Sequence, residues 1–388
     1  MKQEFNPNVF KYLKERGFIH SMSHEDQIKK NLESGPVTFY LGIDPTADDM
    51  HIGHFFALQI FRILQDHGHN GILLIGNATA QIGDPSGKTD MRKTLSINDI
   101  NNNVRGIESV LSRFIDLNET KIVHNADWIE NKSYLNFMTT VGRHFNVADM
   151  LAKDCYKNRL GSGLTFLEMG YLLIQAFDFV HLNETYGCTL QIGGSDQWSN
   201  ILAGVELGRK MSLANGSVRP ELTAFCNPLL TNANGTKMGK TEKGTLWVSK
   251  DKTSAFDFYQ YFYNIDDSNI RQLLLFFTDM PISEIDQAIA TDVVATKKLM
   301  ATKITQKIHG DFTLDAPEVE IELGVNQNTI VDVLLVLNLA TSKREAREFL
   351  TAGAILIDNQ KITDHAYVPP KQFVICKGKK VKLSVKIK

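Results

Sequence analysis

Residues 37–76 restrict the folds open to this chain more than any other stretch. Val37-Thr38-Phe39-Tyr40-Leu41 is rich in β-branched and aromatic residues and reads as a strand. It breaks at Asp44-Pro45-Thr46, where proline fixes its own φ and pushes the preceding residue out of the helical region. An amphipathic helix over 55–67 follows. Gly71-Ile72-Leu73-Leu74-Ile75-Gly76 is then apolar throughout, as a strand buried on both faces of a parallel sheet is. A helix over 97–114 and a strand over 121–125 continue the alternation. The fold class is therefore α/β: a Rossmann-like doubly wound parallel sheet, with its ligand crevice at the carboxyl ends of the strands.

The rest of the chain attaches to that frame. Residues 1–35 read as helical, and 134–160 as a helical insertion that breaks the alternation. A helix over 166–180 is apolar nearly all round and should be buried. Cys188 to Trp198 repeats the strand-to-helix pattern, with Ser195 or Asp196 placed to cap the helix, and 222–225 is a further strand. Asn232 to Lys243 is a polar loop, 245–310 is helical, and 311–328, acidic and without period, is a linker. From Thr329 come two short helices and a small hairpin. The expected domains are 1–230, 231–325 and 329–388, the length being ample for two or three.

Composition excludes some classes. No run of eighteen apolar residues exists, so no membrane span is expected, and Met1 to Pro7 lacks a signal-peptide core. Cys155, Cys188, Cys226 and Cys376 show no zinc spacing and read as buried free thiols of a cytoplasmic protein. The net charge of −2 hides an asymmetry: residues 329–388 hold eleven bases against five acids, a surplus of six. A polyanion-binding module and a solvated lysine-rich terminus both fit that surplus.

Several spacings point to chemistry. A strand, a tight turn and a helix N-terminus around His51-Ile52-Gly53-His54 form an anion site, because the first helical N–H groups lack intrahelical partners. Tyr171, Gln175 and Asp178 fall at i, i+4 and i+7 on one face of the buried helix. Buried polar groups need partners, so that face either lines a polar ligand pocket or joins an internal hydrogen-bond network. Asn77 to Lys88 is a Gly- and Pro-rich loop, either a plain connection or a ligand loop, without P-loop spacing. Lys237-Met238-Gly239-Lys240-Thr241 places two lysines around a glycine, as in a mobile phosphate-closing loop or an ordinary surface.

His51-Ile52-Gly53-His54 matches the HIGH signature of class I aminoacyl-tRNA synthetases, and Tyr40 to Asp48 looks like its tyrosyl version. With the Tyr171/Gln175/Asp178 helix, Gln191-Ile192-Gly193-Gly194-Ser195-Asp196-Gln197, and a KMSKS-like Lys237–Thr241, the chain resembles bacterial-type tyrosyl-tRNA synthetases over almost its whole length. Ser342, Lys343, Arg344, Arg347 and the run from Gly353 to Ile362 are similar to an S4-like RNA-binding domain.

The resemblance implies tyrosine activation by ATP, then transfer to the 3′ end of tRNA(Tyr). It implies that Thr46 and His51 hold the γ-phosphate end and His54 the ribose region. Lys88, Arg92, Lys237, Lys240 and Thr241 would neutralise pyrophosphate. Gly42, Asp44, Gly53, Gly194 and Asp196 would border the nucleotide, Gly53 admitting adenine and Asp196 holding the ribose. Tyr40 and Asp178 would bond the phenolic hydroxyl; Asp84, Tyr171 and Gln175 the ammonium, with Gln191 and Gln197 beside them. Mg²⁺ would arrive with ATP, held by phosphates and water, with no protein-held metal. The family also implies a homodimer. Gly239 and Thr241 stand where two serines are common, and Ala57 offers the nucleotide no hydrogen bond. The rival readings are a tryptophanyl enzyme, disfavoured by Tyr40 and Asp178, and a non-catalytic RNA-binding protein, disfavoured by the intact histidines and lysines.

Overall fold

The sheet that the apolar runs imply has six strands: β1 (Ser21–Met22), β2 (Thr38–Ile43), β3 (Asn70–Ile75), β4 (Lys121–His124), β5 (Leu190–Gly194) and β6 (Thr223–Asn227). The computed structural model describes residues 4–86, 95–157, 159–214, 216, 220–241, 244–313, 318–324, 328–378 and 381–388. These divide into two units, 1–249 with 271–290, and 250–270 with 291–388.

In the first unit the strand order is β1-β6-β5-β2-β3-β4. All are parallel except β1, which runs antiparallel along β6. The order reverses between β2 and β5, so a crevice opens where the connections leave β2 and β5 in opposite directions. Gly42, near the end of β2, is exposed between buried neighbours, on the rim of that crevice. Gly71 is the second residue of β3: a Cβ there would lie 2.3 Å from Phe61, so the glycine lets the helix Ile52–Asp66 pack tightly on the sheet. Phe39 meets Phe61 edge-on, and Phe18, Phe56 and Phe276 form a further aromatic cluster. Each such side chain contributes about 1.5–3 kcal/mol on burial.

The N-terminal segment is not wholly helical. Between the helices Val9–Glu15 and Glu25–Ser34, β1 pairs with Cys226 and Phe225. His20 and Ser23 donate their N–H groups to Cys226 and Ala224, so the pairing shields β6, which would otherwise be an open edge. Arg16, almost fully buried, donates to the carbonyls of Leu274, Leu275, Thr278 and Met280, satisfying the orphan end of the helix Ile270–Phe277. The insertion carries the short helices Tyr134–Thr140 and Val147–Ala152. No described helix is long and apolar enough to cross a membrane.

Beyond β6, β7 (Lys240–Thr241) and β8 (Gly244–Thr245) make a short hairpin. In the second unit, Phe258 of the helix Ala255–Tyr263 meets His309 of the helix Val293–His309 edge-on at 4.9 Å. A five-stranded sheet follows, built from β9 (Glu318–Ile321), β10 (Ile355–Ile357), β11 (Gln360–Lys361), β12 (Gln372–Lys377) and β13 (Val381–Ile387), in the order β11-β10-β12-β13-β9. This corrects the linker reading of 311–328: Glu318–Ile321 runs parallel to β13 and buries Ile321. Four residues with two acids carry too short an alternation to be read as a strand; the partner, more than sixty residues on, makes it one. The helices Ile330–Val336 and Lys343–Thr351 supply Ile330, Val333, Leu334, Ala346 and Leu350 to this unit's core. Cys188 and Cys226 are buried free thiols; Cys376 is half-exposed, unlike the expectation for it.

Candidate active site

The helix Ile52–Asp66 begins before its apolar period suggests, because His51 caps it. His51 Nδ1 accepts from the N–H groups of Gly53 at 3.1 Å and His54 at 3.3 Å, and the His51 N–H donates to His54 Nδ1 at 3.4 Å. The two imidazoles stack with centroids 3.8 Å apart and planes 7° from parallel. Burial lowers both pKa values; that of His54 falls to about 3, with His51 adding to the effect. Both rings are therefore neutral near pH 7, hydrogen-bonding groups rather than cations. A Cβ on Gly53 would lie 3.0 Å from His51 Cε1, so the glycine first makes room for the capping ring. Thr46, exposed, donates its N–H to the Asp44 carbonyl at 2.8 Å and closes the turn after β2.

The helix Phe166–Tyr186 carries Tyr171, Gln175 and Asp178, and Tyr171 reaches that turn. The Tyr171 hydroxyl donates to Asp44 Oδ2 at 2.8 Å, and the Thr79 hydroxyl to Asp44 Oδ1 at 2.7 Å. Asp178 is 1% exposed and accepts from Asn125 Nδ2 at 3.1 Å and Trp128 Nε1 at 2.8 Å. Burial pushes its pKa up to about 7, against those two N–H groups. Tyr40 and Gln191 are paired in register on β2 and β5. Three buried side-chain atoms here have no partner among the described residues: the Tyr40 hydroxyl, Gln175 Oε1 and Gln191 Oε1. Burial, then the neighbouring Asp178, raises the Tyr40 phenol well above its ordinary range. The helix face thus joins an internal network through Tyr171 and Asp178, while Gln175 Oε1 on the same helix, and the Tyr40 hydroxyl and Gln191 Oε1 on the adjoining strands, stay unspent among the described residues. Each unspent polar group costs about 1–3 kcal/mol, which a polar ligand would recover.

A second cluster surrounds Asp84, also buried. Its carboxylate accepts from Gln197 Nε2 at 2.6 Å, Asn200 Nδ2 at 3.4 Å and the Ser86 N–H at 2.9 Å. Gln197 lies in the 3-10 turn Ser195–Gln197, before the helix Trp198–Ala214. The 3-10 turn itself takes Gly194 as its N-cap, which has no side chain to offer. Asn125, Trp128, Thr79, Ser86 and Asn200 belong to these networks and are not singled out by sequence spacing. Their one legible sign is position: Asn125 directly follows β4, at the carboxyl end of a parallel strand.

The Lys237–Thr241 loop is sewn to the HIGH stretch. The Ile52 N–H donates to the Leu246 carbonyl at 3.3 Å, Val248 N–H to Met50 at 2.9 Å, and Leu246 N–H to Gly239 at 2.7 Å. Lys237 Nζ lies 2.7 Å from Asp196 Oδ2, so a candidate phosphate cation and a candidate ribose ligand hold each other. A Cβ on Gly194 would lie 2.7 Å from Asp196 Oδ1. Gly239 has φ +86°, and a Cβ there would meet Ile52 Cγ2 at 2.7 Å, which accounts for glycine where serine is common. Gly239→Ala is expected to cost about 2–4 kcal/mol, strain plus contact. Gly235→Ala, at φ +80° with open space around it, should cost only about 1–2 kcal/mol. Denaturant melts of the two variants test this; equal costs would mean that Ile52 yields freely. Lys88 and Arg92 lie outside the described residues; for Lys240 and Thr241 only the backbone, in β7, is described. Among the described residues no group of three or more His, Cys, Asp or Glu is placed to hold a metal ion.

Residues 32–322 match the family model "tRNA synthetases class I (W and Y)", and 307–382 match "Tyrosine--tRNA ligase SYY-like C-terminal domain". The chain is 42% identical over 380 residues to a tyrosine--tRNA ligase of Clostridium tetani, covering 92% of each. It is 40% identical over 380 residues to one from Fusobacterium nucleatum, again covering 92% of each. A C-terminally truncated mitochondrial tyrosyl-tRNA synthetase of Aspergillus nidulans superposes with TM-score 0.69 at 28% identity, covering 78% of this chain and 90% of that one. A tryptophanyl-tRNA synthetase of Aeropyrum pernix shares the fold, with TM-score 0.57 at 17% identity over 77% of this chain and 84% of that one. The chain belongs to the class I aminoacyl-tRNA synthetases, in the tyrosyl-tRNA synthetase family.

Proposed function

We propose residue roles for a two-step ligation. The chain is a tyrosine–tRNA ligase: it joins L-tyrosine and ATP into tyrosyl-adenylate with release of pyrophosphate, then passes the tyrosyl group to the 3′ end of tRNA(Tyr). The tyrosine carboxylate attacks the α-phosphate, so no protein nucleophile is needed. Rate enhancement comes from alignment of carboxylate and phosphate and from stabilisation of charge on the leaving pyrophosphate.

The observation that carries the assignment is the trio of buried atoms without a partner among the described residues, Tyr40 Oη, Gln175 Oε1 and Gln191 Oε1, with the Asp178 carboxylate next to Tyr40. An amino acid with a hydroxyl at one end and an ammonium at the other matches them: Tyr40 and Asp178 take the phenol. Gln175, Tyr171 and Asp84 take the ammonium, with Gln191 and Gln197 adjoining. An indole, with one N–H donor, leaves part of this set unpaired. His51 and Thr46 meet the γ-phosphate end, and His54 the ribose region, as neutral hydrogen-bonding groups. Gly42, Asp44, Gly53 and Gly194 border the nucleotide. Asp196 exchanges Lys237 for the ribose, freeing that lysine for pyrophosphate with Lys88, Arg92, Lys240 and Thr241. Mg²⁺ accompanies ATP on its phosphates. The working place is the cytoplasm.

Tyrosine-dependent exchange of labelled pyrophosphate into ATP, without tRNA, tests the first step, with tryptophan and phenylalanine as controls. Exchange with tyrosine alone supports the assignment; equal exchange with tryptophan overturns it. A second copy of the chain is the partner for the surface of the insertion and of the start of the helix after it, where Tyr134, Leu135, Val147, Leu160, Phe166 and Leu167 are 52–71% exposed. Leu135→Asp with Phe166→Asp should shift sedimentation from dimer to monomer. A monomeric parent at micromolar concentration overturns this part.

A further inference from the structure

Asp178 is the group on which phenol recognition turns, and its orientation is set from outside the pocket. Trp128 Nε1 reaches Asp178 Oδ1 at 2.8 Å, yet Trp128 stands on a helical turn of four residues, Ala126–Ile129, none of them buried. The half-buried indole leans on the apolar core around Phe179 and Phe177, and on so short an element its plane also needs a flat partner. His181 supplies it: the imidazole stacks on the indole with centroids 4.3 Å apart and planes 25° from parallel. His181 lies one helical turn beyond Asp178, so a single rigid helix carries both the carboxylate and the plate that aims its donor. The plate is itself backed: His181 Nε2 is 3.4 Å from the Thr185 hydroxyl, and the Phe177 ring lies 6.3 Å away. The proposed reaction makes no use of His181.

We infer that His181 is a positioning residue for amino-acid selectivity: by stacking on Trp128 it holds the indole N–H on Asp178 and so fixes the carboxylate that reads the substrate hydroxyl. This rests on the tyrosine pocket assigned above. With the indole held, Asp178 Oδ1 is committed to Trp128 and Oδ2 to Asn125, and the remaining lone pairs point where geometry leaves them. With the indole loose, the carboxylate can rotate away from the hydroxyl.

The test is pyrophosphate exchange by the full chain for His181→Ala, His181→Phe, Trp128→Phe and the double variant His181→Ala/Trp128→Phe. Loss of one hydrogen bond to a charged group corresponds to roughly a tenfold change. His181→Ala is therefore expected to raise KM for tyrosine by about tenfold and to shrink the tyrosine-over-phenylalanine ratio by about tenfold. KM for ATP and kcat should stay within about twofold, because uniform binding of tyrosine alone is weakened. His181→Phe, which keeps a flat ring, should recover most of both losses. Trp128→Phe should match His181→Ala, and the double variant should be no worse than the poorer single one, since both remove the same constraint. Multiplying losses, or an unchanged ratio in His181→Ala, overturns the inference. A rise in KM for ATP equal to that for tyrosine also overturns it, since it marks general loosening. Asp178→Asn separates the two levels: selectivity that survives it sinks the pocket itself, whereas selectivity lost there but kept in His181→Ala sinks only the role of His181.

Discussion

Asp178→Ala is expected to collapse the preference for tyrosine over phenylalanine, with the larger part of the loss in kcat/KM for tyrosine. Intact Asp178 offers a buried carboxylate to a hydroxyl that phenylalanine lacks, so the wrong substrate leaves buried polar groups unpaired. Tyrosyl enzymes are themselves the reference case for such sites, discriminating by roughly 10⁵, a figure that belongs to the family and not to these distances. Removing the carboxylate also strands the half-buried Trp128 Nε1 and leaves the buried Asn125 Nδ2 only its bond to the Thr79 hydroxyl at 3.2 Å. The stability cost is therefore about 2–4 kcal/mol, and the variant must be assayed well below its melting temperature. Tyr40→Phe removes only the unpartnered hydroxyl and should be close to neutral in stability. If Asp178→Ala retains selectivity while folded, the phenol end lies elsewhere and the assignment of the whole helix face falls.

Removal of residues 311–388 is expected to leave tyrosine-dependent pyrophosphate exchange within about threefold and to lower aminoacylation of tRNA by about 10²-fold or more. Residues 329–388 carry the basic surplus, and the helix Lys343–Thr351 displays Lys343 and Arg344 at 62% and 90% exposure. Arg344, Arg347, Glu348, Thr351 and Ala352 line a groove of about 470 Å³. Two charge-assisted phosphate contacts, at about 1.5–3 kcal/mol each, are enough for such a loss. Charging by the intact chain should accordingly fall steeply with salt, and that slope should flatten after truncation. The position of the cut matters. A cut at 329 would leave β9 without β13, its one neighbour in the sheet, and expose Ile321, adding an aggregation-prone edge to the experiment. Equal loss of exchange and charging would assign the C-terminal segment a structural role in the first step.

The parts of this fold legible in the sequence are those set by local period. β2 and β3 read from their β-branched and apolar runs, and Tyr171, Gln175 and Asp178 from their spacing on one helix. What escapes is set by distant partners. β9 becomes a strand through Ser384–Ile387, and β1 through Phe225 and Cys226. Asn125 and Trp128 matter because folding brings them to Asp178, some fifty residues on in the chain. The glycine at 239 reads as a departure from a signature, and only the contact with Ile52 gives it a cause. Lys237 and Asp196 each read as a substrate ligand, and no spacing rule shows that they first hold each other.

Tyr40 and Gln191 stand opposite one another on neighbouring strands in the interior of the main sheet. A wall made of hydrogen-bonded backbone keeps its width, because changing it would tear a ladder rather than swing a loop. On the proposed reading of Tyr40 and Gln191, selectivity is anchored in that wall and comes with the scaffold. A descendant that accepts a larger or differently shaped amino acid must change side chains on β2, β5 or the Phe166–Tyr186 helix, one at a time, with the frame standing still. The genetic code's fidelity at this amino acid would thus rest on the stiffness of a sheet.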